Sequence, residues 1–247
     1  MDISPLLALQ LGVVIFLAAV LRGITGFGFA IAAVPPLSFL VAPSMAVVIV
    51  ALLQVMVGVR DIPTLRHDMD KQALKWLALG ALLGTPLGVL LLSSLDPALV
   101  KISVAAIVLV AVPVLLSPKR FAFPPGPKSA LPSGMASGFF GGLAAMPGPP
   151  AILYFVGSQS KTVQTRASLM VFFVITASCS VPMFWLSDLI SLEIIGISLA
   201  ALPLFFAGGW VGAKIFARTS DAAYRYASIA ILVAMAGATA VQGFLEL

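Results

Sequence analysis

Residues 22–36, RGITGFGFAIAAVPP, recur in altered form at residues 137–151, SGFFGGLAAMPGPPA. A constant offset of 115 residues pairs Gly23 with Gly138, Gly26 with Gly141, Ala30 with Ala145, Pro35 with Pro150 and Val41 with Val156. Each copy sets glycines and prolines, the poorest helix formers, inside an apolar stretch. Interruptions at matching places in two halves of an apolar chain are the sequence pattern that points to a central binding site inside a membrane.

The surroundings of the motif place it in a bilayer. Of 247 residues 61% are hydrophobic and 9% charged, against about 25% charged in a soluble domain. The runs 5–21, 72–92, 98–116, 163–187, 190–213 and 222–244 approach the ~20 residues that cross the hydrocarbon core. The first run has no basic segment and no A-x-A cleavage site before residue 30, which predicts a retained span. Cys179, the single cysteine, has no intrachain partner and is expected to act as a small buried hydrophobe. The net charge of +5 is read as a property of cytoplasmic loops and not as a nucleic-acid surface.

An offset of 124 residues pairs Gly84 with Gly208, Gly88 with Gly212 and Lys101 with Arg225. The chain therefore divides into a first repeat, 1–116, a cytoplasmic linker, 117–129, and a second repeat, 130–247, all within one transmembrane domain. Residues 117–132 hold five prolines and three basic residues, a composition that predicts no membrane helix there. Loop 58–75 carries Arg60, Arg66, Lys71 and Lys75, while its counterpart at 187–191 carries Asp188 and no basic residue. Loop 93–97 and turn 41–44 lack basic residues, while their counterparts at 214–221 and 157–166 have Lys214 with Arg218 and Lys161 with Arg166. Basic loops face the cytoplasm, so equivalent loops fall on opposite faces and the repeats are inverted. Residues 130–156 must then cross an even number of times, as must residues 5–40, which puts both ends outside. The predicted fold is an all-α integral membrane protein with an inverted-topology repeat. Each half is a broken helical hairpin followed by three transmembrane helices, with 8–10 membrane segments in all.

Irregular backbone at membrane depth is tolerated where it is buried in protein or lines a wet cavity. A helix that starts there aims free N–H groups and its positive dipole end at anions. Interruptions at Gly23–Gly28 and Gly141–Gly148 thus predict two anion-facing backbone cradles, with the Thr25 hydroxyl added to the first. Pro147, Gly148, Pro149 and Pro150 make the second interruption firm. The alternative is that these glycines serve close helix packing, which is the favoured role of the four-residue pairs Gly84/Gly88 and Gly208/Gly212. Arg22 is placed either to clamp an oxyanion in bidentate fashion or to snorkel to the headgroups. Arg166 lines the substrate path or anchors its span, and anchoring is the expectation for Lys101 and Arg225. The candidate substrate-binding set is Arg22, Gly23, Thr25, Gly26, Phe27, Gly28, Gln54, Gly141, Gly142, Gly148 and Arg166.

Gln54 is the span polar residue hardest to leave unpaired. Ser168, Thr176, Ser178 and Ser180 face a cavity or bond back to their own helices. Asp61, Asp188 and Glu193 all lie near predicted helix ends, which favours an anionic over a cationic substrate. The only histidine, His67, reads as a solvated loop residue. No H-E-x-x-H, Walker loop, Rossmann fingerprint or cysteine pair is present, so neither an enzyme, a metal nor a cofactor is expected.

The runs GITGFGFAIAAVP at 23–35 and GFFGGLAAMPGPP at 138–150 resemble the two signature segments of the sulfite exporter TauE/SafE family of membrane transporters. The resemblance extends over nearly the whole chain in length, basic linker and twofold organisation. It implies a multi-pass secondary transporter of a bacterial-type inner membrane. The substrate it implies is a sulfur-containing anion: sulfite, a sulfonate such as sulfoacetate, or a related small organic acid. The expected mechanism is alternating access around a midplane anion site, the expected partners a small anion, a coupling ion (H+ or Na+), the bilayer and a homodimer mate. The alternatives are a passive anion channel, a carrier of a non-sulfur organic anion, and a membrane enzyme acting on a lipid-linked anion.

Overall fold

The computed structural model describes residues 4–25, 28–116, 124–157 and 162–216, which form nine α-helices. They are α1 (Pro5–Thr25), α2 (Phe29–Leu40), α3 (Pro43–Leu65), α4 (Lys71–Ser94) and α5 (Pro97–Leu116), then α6 (Pro127–Ala144), α7 (Gly148–Gly157), α8 (Thr162–Leu186) and α9 (Leu192–Phe216). Proline opens α1, α3, α5 and α6, where its missing N–H costs nothing and its φ suits the first turn. Asp70 caps α4, its carboxylate accepting the Ala73 N–H at 3.0 Å, as short acidic side chains do at helix starts.

Among the described residues five helices (α1, α3, α4, α8 and α9) are long and apolar enough to cross a membrane. On α1 the residues Leu6, Leu9, Val13 and Leu17 are exposed while Leu11, Ile15, Ala18 and Ala19 are buried. Apolar side chains on both faces of a helix are those of a bundle whose outer surface meets lipid rather than water. The chain is a multi-pass membrane protein. At 1.5 Å per residue α2 and α7 reach only about 18 and 15 Å, short of the ~30 Å core.

Two parallel helix pairs hold the bundle together. A Cβ added to Gly134, Gly138 or Gly142 on α6 would strike the carbonyls of Leu77, Ala81 and Thr85 on α4. One added to Gly84 or Gly88 would strike those of Met135 and Phe139. On α9, Gly208 and Gly212 meet the Phe16 and Val20 carbonyls of α1 in the same manner. Only glycine lets backbones approach this closely, and small residues are what associates helices where lipid removes the hydrophobic drive. The packing role expected of Gly84/Gly88 and Gly208/Gly212 is the one they play. Between the two pairs, α3 crosses α8 with Gly58 against the Val174 side chain.

The turns fall at 41–42, 95–96 and 187–191, where the sequence places them. Loop 58–75 is shorter than expected, because α3 continues to Leu65 and α4 begins at Lys71. The charges of Arg60 and Asp61 do not end the helix because both are accommodated on it. Arg60 lies over the Phe206 ring at 4.9 Å and Asp61 accepts from Arg22. The ends of α1, α3 and α9 and the starts of α4 and α8 gather at one end of the bundle. Arg22 meets Asp61 there, Gly23 meets Gly212, and the Asp70 N–H donates to Ser168 Oγ at 2.8 Å.

Candidate functional site

The two interrupted segments meet. α6 ends with the Ala145 N–H on the Gly141 carbonyl at 2.9 Å and the Met146 N–H reaching back to that of Phe140 at 3.2 Å, which satisfies carbonyls left open at the helix end. Ala145 takes φ 54°, left-handed for a residue with a Cβ. Gln54 of α3 donates its Nε2 to the Ala145 carbonyl at 3.2 Å, tying the second turn to a helix of the first half. On the opposite side Gly28 turns at φ 91° into α2, a conformation only glycine adopts freely.

Between these turns lies a small, partly open cavity of about 30 Å³. Its walls bring Arg22, Gly28 and the first turn of α2 (Phe29, Ala30, Ile31) together with Gln54, Met146, Pro147 and Gly148. Met170, Phe173 and Val174 of α8 close its side. A wider vestibule of about 480 Å³ shares Arg22 and Met170 with it and adds Gly23, Arg60, Asp61, Thr64, Asp68 and Arg166. Arg22 thus stands where the two spaces join. Its Nη2 donates to Asp61 Oδ2 at 2.7 Å, and its guanidinium lies 5.5 Å from the centre of the Phe205 ring. The arginine is 16% exposed and the aspartate 30%.

Of the residues singled out in the sequence, Arg22, Gly28, Gln54 and Gly148 line the inner cavity, and Gly23 and Arg166 line the vestibule. Gly142 does neither. It is spent on packing against α4, and Gly23 likewise packs against α9. A Cβ on Gly141 would meet the Pro147 and Thr176 side chains at 3.6 Å. Gly26, Phe27 and the side chain of Thr25 lie outside the described residues, as do Lys161, Arg218 and Arg225. Thr176 and Ser180 donate to carbonyls of their own helix at 3.0 Å, the back-bonding alternative. His67 is exposed and accepts from Arg66 Nε at 3.2 Å.

The expectation of two equivalent backbone cradles needs correction. Phe29, Ala30 and Ile31 form the first turn of α2, where a helix leaves its N–H groups without an intrahelical acceptor. At the start of α7, Pro147, Pro149 and Pro150 carry no N–H at all, which leaves Gly148 to supply the donor. The donor-rich side of the cavity is therefore the α2 side, which also holds Arg22. Asp61, Met170 and Phe173 line these spaces and were not singled out from the sequence. Asp61 had a signal in its one-turn distance from Gly58 within an apolar helix; the other two had none.

A cavity of this make-up offers donors at one wall and apolar contact elsewhere, the chemistry that holds a small oxyanion. Comparison with curated proteins and with solved structures finds no significant match. A family model described as Sulfite exporter TauE/SafE matches residues 11–239. With the match extending over nearly the whole chain, the protein belongs to the sulfite exporter TauE/SafE family of membrane transporters.

Proposed function

We propose that the protein is a secondary transporter that carries a small sulfur-containing anion, sulfite or an organosulfonate such as sulfoacetate, across the cytoplasmic membrane. The observation that carries this is the inner cavity, where the first turn of α2, Arg22 and Gln54 converge beside the second turn. The anion sits with its oxygens toward the α2 N–H groups and the Arg22 guanidinium, and its remainder toward Met170 and Phe173. No covalent step is involved.

The mechanism is alternating access between two inverted halves, and the helix contacts support that arrangement. α4 runs parallel to α6 and α9 runs parallel to α1, so each half lends its hairpin helix to the other. A Cβ on Gly23 faces Gly209 O and Ala213 N, and a Cβ on Gly142 faces Thr85 O and Val89 N. The partner atoms differ by 124 positions, the offset found in the sequence, whereas the glycines differ by 119 rather than 115. α1 and α6 then run in opposite directions, as do α4 and α9. The end of the bundle that collects Arg60, Arg66, Lys71, Lys75, Arg166 and Lys214 is the cytoplasmic one, and the vestibule opens there.

Counterflow in proteoliposomes preloaded with sulfite, sulfoacetate, taurine, sulfate or acetate tests the proposal. Saturable exchange of one sulfur anion is expected. Arg22→Gln removes charge-assisted hydrogen bonds of about 1.5–3 kcal/mol and should raise the half-saturating concentration about 10- to 100-fold. Uptake that rises linearly with concentration would mark a channel instead, and exchange of acetate alone a non-sulfur carrier.

A further inference from the structure

We propose that Asp61 is the proton-binding residue that couples anion movement to a pH gradient, acting through Arg22. The inference rests on Arg22 being the charge partner of the transported anion. Arg22 reaches both the inner cavity and the vestibule, and in this conformation Asp61 Oδ2 occupies its Nη2 at 2.7 Å. A guanidinium binds an oxyanion best through two parallel N–H donors, so the anion and the Asp61 carboxylate compete for the same fork. An anion that takes Arg22 leaves Asp61 beside a like charge with its partner gone. A proton taken up on the carboxyl removes that repulsion. Binding is reciprocal: whatever anion binding does to proton affinity at Asp61, the proton does to anion affinity.

The surroundings make the exchange feasible. Asp61 lines the water-accessible vestibule and is the more exposed partner of the pair, so a proton from the cytoplasmic side reaches it without passing the anion. The other charged groups around it are Arg60 on its own helix, Asp68 from the following turn and Arg166 from α8. The Arg60 guanidinium lies over Phe206. α9 brings uncharged residues to this wall, the Lys214 ammonium lying over the Trp210 ring at 3.5 Å. When the anion and proton leave, the carboxylate closes on Arg22 and the resting pair is restored. One proton accompanies each anion, and the Arg22 charge is never without a counter-charge.

Radiolabelled sulfite in proteoliposomes tests this in two modes, with protein-free vesicles subtracted. At equal pH on both sides, wild type and Asp61→Asn should both exchange sulfite. With the outside more acid, wild type should accumulate it by up to about tenfold per pH unit for one proton per anion, and Asp61→Asn should not. Accumulation by Asp61→Asn equal to wild type would overturn the proposal, as would a wild type that ignores the gradient. If Asp61→Asn does not reach the vesicles, Asp61→Glu decides. A moved pH midpoint of driven uptake supports the assignment and an unmoved one overturns it. Arg22→Gln separates the underlying site from its coupling. Full equal-pH exchange by that variant would remove Arg22 from the site, whereas lost exchange together with gradient-driven uptake by Asp61→Asn would fault Asp61 alone.

Discussion

Gly141 and Gly142 adjoin in sequence, yet their surroundings call for opposite responses to one added methyl group. A Cβ on Gly142 would sit 2.6 Å from the Thr85 carbonyl oxygen and 2.9 Å from the Val89 nitrogen. Both atoms are α4 backbone and cannot rotate aside. Ordinary contact begins at 3.4 Å, so α4 and α6 must part locally by about 0.8 Å. A gap of that size forfeits a quarter to a half of each van der Waals contact around it, which places the cost in the upper half of the overpacking range, about 2–3 kcal/mol. The better helix propensity of alanine returns about 1 kcal/mol. A Cβ on Gly141 meets Pro147 and Thr176 at 3.6 Å, ordinary contact, so only the propensity gain remains, about 0.5–1 kcal/mol. At about 2–4 °C per kcal/mol for a chain of this size, Gly142→Ala should melt about 2–8 °C lower than wild type in detergent. Gly141→Ala should melt about 1–4 °C higher. Intrinsic fluorescence from the three tryptophans reads both, and midpoints that move in the same direction would refute the packing assignment.

Gln54→Leu leaves the Ala145 carbonyl buried without its donor and should cost about 1–3 kcal/mol, seen as a lower melting midpoint; an unchanged midpoint would mean the carbonyl has found another donor. Ala145→Gly relieves a left-handed backbone strain of about 1–2 kcal/mol against a somewhat smaller entropic cost of glycine. It should melt slightly higher, and a lower midpoint would count against the turn geometry. Gly88→Ala and Gly212→Ala each drive a Cβ into a carbonyl oxygen, of Phe139 and of Val20. Their losses of monodisperse protein on size exclusion should match, and a large difference would argue against equivalent halves.

Much of the fold was legible in the sequence because bilayers impose simple rules. Apolar length marked the spans, prolines and basic residues marked their ends, and four-residue glycine spacing marked the packing faces. The packing contacts relate Gly23 to Gly142, 119 residues apart, where the sequence pairing used 115, and Gly134, Gly138 and Gly142 repeat every four residues. Any of the three serves as a match when only residue types are compared. The poverty of donors at α7 was readable from Pro147, Pro149 and Pro150, since proline has no N–H. Treating both interruptions alike hid it. The Arg22–Asp61 pair joins residues 39 positions apart on helices that meet only in the folded bundle, and no local pattern announces such a contact.

The exchange of helices between halves has a consequence for how the protein is made. α4 enters the membrane before its partner α6, which emerges from the ribosome only after the basic linker. Likewise α1 is synthesised long before its partner α9, with more than 160 residues between them. Neither glycine-lined seam can close while the nascent chain is half complete, so the early helices must wait with their backbones facing lipid or a chaperone. The α4–α6 seam closes only once α6 has followed the linker, and the α1–α9 seam later still. A chain cut at the linker should recover its stability only when both fragments are expressed in the same cell.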